Sequence, residues 1–224
     1  MVFGIIIQAR LGSSRLPGKV LREFCNKPML EFQIGLLKEF KLPYEIIVAT
    51  TYKNEDEKIL KLCDDLNIEC IRGDELNLVS RFCKILKEKK FDEVIRLTAD
   101  NPIVSYRVLT ESINLHKKYR PDLTSTRSIL NGKIERFVPK GLSIDIFNKN
   151  SFYKNIKSEL TDYEKEHIIP LFFNNNCNIQ ILKSIKGYKS DLSIDTIQDL
   201  RRVENFTIDL IDRGLFLNFL GLNS

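Results

Sequence analysis

Apolar runs of strand length alternate with segments of helical spacing along this chain, and that alternation constrains the fold more than any other feature. Phe3–Ala9 is a nearly unbroken apolar run. Pro28 can open a helix, and Met29, Leu30, Phe32, Gln33, Leu36, Leu37 and Phe40 follow at near-helical spacing. Tyr44–Thr50 is a second strand, and Asn54 can cap a helix that runs to about Leu66. Ile68–Ile71, a helix at Leu76–Lys89, Asp92–Thr98 and a helix at Val104–Lys118 continue the pattern. Successive strands joined by helices require crossover connections. The expected fold is therefore α/β: three layers, with helices on both faces of a mostly parallel, doubly wound sheet. The Val and Ile content of the runs suits strands buried on both faces.

Regularity weakens after Pro121. Asp122–Ser125 and Gly141–Phe147 read as strands around a polar excursion, and Asn148–Asn155 and Thr161–Asn174 read as helices. Ile179–Ile185 and Leu192–Ile194 read as short strands, and Thr196–Arg213 as a closing helix. No linker or repeat divides the 224 residues. The expectation is one domain, 1–224, with an irregular insertion near 126–175.

Composition excludes several classes. No apolar run approaches the ~20 residues that a membrane span needs, and the N-terminus lacks a signal peptide's apolar region. The five cysteines are irregularly spaced without a C-x-x-C, and there are only two histidines, so neither a zinc site nor a disulfide framework is expected. Reduced cysteines suit a cytoplasmic protein. The net charge of +5 is mild, and no arginine-rich tract or RNA-binding motif points to nucleic acid.

Three segments carry chemistry. The first is the loop Gln8-Ala9-Arg10-Leu11-Gly12-Ser13-Ser14-Arg15-Leu16-Pro17-Gly18-Lys19. It leaves the C-terminal end of the first strand, where open α/β sheets bind ligands. Glycines permit close backbone approach, and hydroxyls and cations can cradle phosphates. It is not a P-loop, because five residues separate Gly12 and Gly18 and Val20 stands where a hydroxyl would hold Mg²⁺. The second is Arg96-Leu97-Thr98-Ala99-Asp100-Asn101-Pro102, and the third is Asp191-Leu192-Ser193-Ile194-Asp195-Thr196. Asp100 and Asp195 each follow an apolar run and can hold Mg²⁺ against phosphates. Each could instead cap the helix that follows it.

QARLGSSRLPGKVL resembles the opening motif of sugar-activating cytidylyltransferases, the acylneuraminate and KDO cytidylyltransferases, and most closely the spore-coat polysaccharide biosynthesis protein F branch. That branch reads Q-A-R-x-G-S-T-R-L-P-G-K-V-L, so Ser14 is the conservative departure. RLTADNP is similar to its R-x-T-G-D-C-P, with Ala99 and Asn101 as departures. Glu166-His167-Ile168-Ile169-Pro170 resembles its E-H-V-T-P, Ser193–Thr196 its T-V-D-T-P, and Arg72-Gly73 its R-G before a helix containing Arg81. The family's G-L-D-V-E-V-F appears as Gly141-Leu142-Ser143-Ile144-Asp145-Ile146-Phe147, so Ser143 replaces a carboxylate and Asp145 is shorter than Glu.

The resemblance implies a Rossmann-like fold of the nucleotide-diphospho-sugar transferase type. It also implies a Mg²⁺-dependent transfer of CMP from CTP to an acidic, nonulosonate-like sugar, with release of pyrophosphate, in surface polysaccharide or glycoconjugate synthesis. Arg15 and Lys19 would be catalytic. Gln8, Ala9, Arg10, Gly12, Ser13, Ser14, Arg72, Arg81 and Thr98 would bind the nucleotide. Gly141, Ser143, Asp145 and His167 would bind the acceptor, and Asp100 and Asp195 the metal. His167 could equally be a polar residue packed at a helix start. A nucleotide-sugar-dependent glycosyltransferase of similar fold is the alternative, and a non-catalytic nucleotide-binding protein a third reading. A homodimer contact, if one forms, is expected in the irregular 126–175 region.

Overall fold

The expected alternation becomes a seven-stranded sheet in the order β11-β7-β10-β6-β1-β4-β5 in the computed structural model, which describes residues 1–130, 133–173, 176–183 and 190–222. The strands are β1 (Phe3–Gln8), β4 (Glu45–Thr51), β5 (Glu69–Gly73), β6 (Glu93–Thr98), β7 (Leu123–Ser125), β10 (Asp145–Asn148) and β11 (Ile179–Ile181). Two hairpins stand apart from it: β2 (Glu23–Phe24) with β3 (Lys27–Pro28), and β8 (Arg127–Leu130) with β9 (Lys133–Arg136). The helices are α1 (Met29–Glu39), α2 (Glu57–Asp65), α3 (Leu78–Glu88), α4 (Tyr106–Tyr119), α5 (Lys149–Asn155), α6 (Asp162–Glu166), α7 (Pro170–Phe173), α8 (Ile197–Asp212) and α9 (Phe216–Leu220).

β1 pairs in parallel with both β4 and β6, and β4 with β5, while β10 runs antiparallel between β6 and β7. The strands between the two edges are largely buried on both faces, and alternate side chains separate two cores. Ile5, Ile7, Val48, Ile95 and Leu97 pack with residues of α1, α2, α4, α8 and α9. Ile6, Ile47, Ala49, Val94 and Phe147 pack with residues of α3, α5 and α7. The chain winds outward from β1 to β5, then returns to β6 on the other side of β1. The C-terminal ends of β1 and β6 therefore flank the switch point where such sheets bind ligands.

Several expectations change. Pro28 precedes α1 as its N-cap instead of opening it. Asn54 begins a short 3₁₀ turn, Asn54–Asp56, with no side-chain cap. Thr161–Asn174 is not one helix: α6 ends before His167 and α7 begins at Pro170, and residue 174 lies outside the described residues. Pro170 has no N–H to continue a helix from the preceding turn. β10 covers only the end of Gly141–Phe147. β11 ends at Ile181, and residues 184 and 185 of the expected strand lie outside the described residues. Leu192–Ile194 is not a strand; the Leu192 N–H donates to the Lys140 carbonyl at 2.8 Å.

Gly141 makes that contact possible. Its φ is +98°, and a Cβ there would lie 2.3 Å from the Leu192 carbonyl carbon and 2.5 Å from the Ser193 nitrogen. Both the backbone conformation and the space require glycine. Gly141→Ala is expected to cost roughly 1–3 kcal/mol of stability through overpacking and strain. Thermal unfolding tests this, and an unchanged midpoint would mean that the two segments do not press together as described.

Candidate active site

Short apolar anchors shape the loop after β1. Leu11, Leu16 and Val20 are buried, and the Gly18 N–H donates to the Leu11 carbonyl at 3.0 Å. Gly18 turns the chain with a φ of 67° into a 3₁₀ turn, Lys19–Leu21. Asp56, buried beneath the loop, accepts the Leu11 N–H at 2.8 Å and is also hydrogen-bonded by the Thr51 hydroxyl. The polar side chains between the anchors are thereby held above the sheet edge.

The loop after β6 is fixed from below by Gln33 on α1. Its buried amide donates to the carbonyls of Thr98 at 3.1 Å and Asn101 at 2.8 Å. The Asn101 amide donates to the Thr98 hydroxyl at 2.7 Å. Asp100 is not a helix cap, because Ser105 caps α4. Nor is Asp195 the cap of α8: Thr196 and Asp199 form a reciprocal capping box there.

Both aspartates meet the first loop. The Lys19 ammonium lies 2.9 Å from Asp100 Oδ2 and 3.5 Å from Asp195 Oδ1, and donates to the Ile194 carbonyl at 3.2 Å. Arg15 reaches Asp195 Oδ1 at 2.9 Å and Lys140 reaches Oδ2 at 3.1 Å. Burial alone would raise the Asp195 pKa, but Lys140, Lys19 and Arg15 together bring it below the ordinary carboxylate value.

Two cavities adjoin at this cluster. One, of about 310 Å³, is lined by Gln8, Ala9, Arg10, Gly12, Ser13, Ser14, Arg15, Lys19, Arg81, Thr98, Asp100 and His167, with Glu75, Leu78 and Glu166. The other, of about 370 Å³, is lined by Gly141, Ser143, Asp145 and Asp195, with Arg96, Arg127, Arg136, Lys140 and Tyr163. Gln8, Arg15, Thr98, Asp100 and His167 belong to both walls.

Arg81 enters the first cavity because Gly73 leaves room; a Cβ at Gly73 would lie 2.4 Å from its Cγ. The Arg81 pKa is pushed down to about 10, chiefly by burial and then by Arg10, and its Nε has no hydrogen-bond partner. In the second cavity, Asp145 is fully buried. It takes Arg96 at 2.9 Å, Arg127 at 2.8 Å and the Ser125 hydroxyl at 2.7 Å. The Arg127 Nε also lacks a partner. Desolvation, then Arg96, lower the His167 pKa against the opposing effect of Glu166, so its imidazole is neutral near pH 7.

Arg72 departs from the sequence expectation. Its guanidinium donates to the Thr51 carbonyl at 2.8 Å and the Lys53 carbonyl at 2.9 Å and pairs with Glu57, tying β5 to the β4–α2 connection away from both cavities. Lys140, Arg127, Arg136, Glu75 and Gln33 join the site or its support without belonging to any of the sequence motifs. Arg127 and Arg136 lie on the polar β8–β9 hairpin, Lys140 and Glu75 in loops and Gln33 on a helix, with no local pattern that marks them.

A cationic, glycine-bearing loop and a carboxylate thus meet at the switch point of a doubly wound sheet, beside a second polar cavity, an arrangement that suits a nucleotidyltransferase. The family model described as cytidylyltransferase matches residues 4–217, and the chain belongs to that family. The spore coat polysaccharide biosynthesis protein SpsF of Bacillus subtilis is 28% identical over 89% of this chain and 83% of its own length. The 3-deoxy-manno-octulosonate cytidylyltransferase of Thermodesulfovibrio yellowstonii is 25% identical over 92% of this chain and 87% of its own. A solved cytidylyltransferase structure from Leptospira borgpetersenii superposes with a TM-score of 0.83 at 27% identity, covering 100% of this chain and 98% of the other.

Gln33 touches neither cavity's reacting region, yet it fixes the loop that carries Asp100. Gln33→Leu removes the amide donor of the Asn101 carbonyl and leaves the Thr98 carbonyl only the Asn101 N–H at 3.2 Å, and is expected to cost roughly 1–3 kcal/mol of stability. Displacement of Asp100 is expected to lower turnover by up to about a hundredfold. Denaturant unfolding and steady-state rates test the two effects, and wild-type turnover would show that the loop holds itself.

Proposed function

We propose that this chain transfers CMP from CTP to a hydroxyl of an acidic sugar, a nonulosonate or a close analogue, and releases pyrophosphate. One observation carries the reading: two polar cavities share a wall at Asp100, Arg15 and His167. The first suits a triphosphate, with Arg10, Arg15, Lys19 and Arg81 facing it. The second suits an acidic acceptor, because Arg96, Arg127, Arg136 and Lys140 line it and paired guanidiniums bind carboxylates well. The 3-deoxy-manno-octulosonate acceptor in one relative's name is such a sugar acid.

Asp100 and Asp195 fit a Mg²⁺ ion. Their oxygens are hard donors, both reach one ammonium nitrogen, and octahedral Mg²⁺ completes its shell with phosphate oxygens and water. When bound, the ion neutralises negative charge on the phosphates. Arg15 and Lys19 orient the triphosphate and stabilise the charge that grows on its α- and β-phosphate oxygens during attack. His167, neutral at the seam, contacts the acceptor hydroxyl. Gly141, Ser143 and the Asp145-held arginines orient the acceptor, while the loop backbone from Gln8 to Ser14 and Thr98 holds the nucleotide. The protein chiefly positions and neutralises. A glycosyltransferase would consume a sugar nucleotide and release no pyrophosphate.

The test crosses four nucleoside triphosphates with nonulosonates, neutral sugars and sugar phosphates, reading pyrophosphate. Release with CTP and a sugar acid is expected, and release only with a neutral sugar or a sugar phosphate would overturn the acceptor assignment. Arg15→Ala, Asp100→Asn and Asp195→Asn are each expected to lower turnover about a hundredfold or more. Near-wild-type rates in all three would remove the phosphate and metal assignments.

A further inference from the structure

We propose that Lys19 occupies the metal's carboxylates until the nucleotide arrives, so that a divalent cation and the triphosphate bind this chain cooperatively. This rests on the reading that Asp100 and Asp195 share an ion. The Lys19 ammonium bridges the two carboxylates, at 2.9 and 3.5 Å, and is further held by the Ile194 carbonyl at 3.2 Å. Arg15 and Lys140 also pair with Asp195. Three cations thus face two carboxylates, and the cluster already carries surplus positive charge.

A divalent cation arriving alone must displace a resident ammonium from carboxylates that are already compensated. The Lys19 side chain is only 10% exposed, so water screens that repulsion little. A triphosphate reverses the balance. It brings several negative charges into the cavity that Lys19 and Arg15 line, and it offers the ammonium new partners. Lysine is a point charge on a flexible stem and can turn from carboxylate to phosphate without moving the backbone. The freed carboxylate oxygens then face the cation. Linkage makes the effect reciprocal: each ligand raises the other's affinity by the same factor, typically about 5–150-fold for such couplings.

The test measures binding of Mn²⁺ alone to the full chain by water-proton relaxation enhancement, without nucleotide. The wild type, Lys19→Met, Lys140→Met and the double variant Lys19→Met/Asp100→Asn are compared. Lys19→Met is expected to bind Mn²⁺ at least about tenfold more tightly than the wild type, and the double variant to lose that gain. Equal affinities for the wild type and Lys19→Met would overturn the proposal. If Lys19→Met does not fold, Lys140→Met decides. Lys140 is 45% exposed and removes one compensating charge from Asp195, so a gain in affinity supports the proposal and no gain overturns it. The metal reading is tested separately. If Mn²⁺ bound with CTP gives the same enhancement in the wild type and Asp100→Asn, the shared ion itself is wrong; if only the Lys19→Met gain is missing, the ion stands and the competition fails.

Discussion

A buried ion pair between neighbouring strands joins the sheet to the chemistry at its edge. Arg96 on β6 lies opposite Asp145 on the antiparallel strand β10, and Asp145 lies opposite Ser125 on β7. The side chains of Arg96 and Asp145 are 7% and 2% exposed, and the pair is only 2.9 Å apart. Desolvating two charges is costly and breaking such a pair costs more, so its remaining hydrogen bonds must be satisfied. Ser125 and Arg127 supply them to Asp145, and Gln8 accepts from Arg96 Nε at 2.9 Å. A one-residue slip of β10 would turn Asp145 to the other face of the sheet, leaving Arg96 buried without its carboxylate. The same cluster lines the second cavity, so strand register and the shape of that cavity are determined together. Asp145 therefore shapes that cavity chiefly by holding two arginines in place.

The first cavity is built differently. Its polar groups stand on a loop whose apolar residues belong to the main core, and two buried polar side chains, Asp56 and Gln33, hold the flanking backbone. These contacts exist within the protein alone. The loop is consequently shaped before any ligand arrives, which lowers the ordering cost of binding.

Much of this was readable from residues. β1, β4 and β6 are rich in Val, Ile and Leu, and burial on both faces demands that composition, whereas the edge strand β5 holds a single Ile. The cationic loop and both aspartates announced themselves by following apolar runs or by matching a motif. Other features left no local mark. The β2–β3 turn is made by Cys25 and Asn26, both at positive φ, without the glycine that usually signals such a turn. The β8–β9 hairpin is largely polar, and every β9 residue is exposed, so no alternation distinguished it from a loop. Leu192 and Ile194 are buried apolar residues, and burial alone does not specify a ladder partner. Arg72 matches a motif, yet its guanidinium is engaged by two carbonyls and a carboxylate that only the folded chain brings near.

The β8–β9 hairpin has a consequence for divergence. It supplies Ile129, Ile134 and Arg136 to the second cavity, but it pairs only with itself and not with the seven-stranded sheet. Substitutions at exposed positions away from special features usually change stability by no more than about 0.5 kcal/mol, so β9 can change its cavity-facing chemistry while the fold is preserved. The loop after β1 has no such latitude, because its anchors are core residues. On the function proposed above, an ancestral enzyme of this architecture could therefore acquire new acceptors by drift in β9, while Arg127 on β8 stays tied to Asp145 and the core-anchored loop after β1 stays fixed.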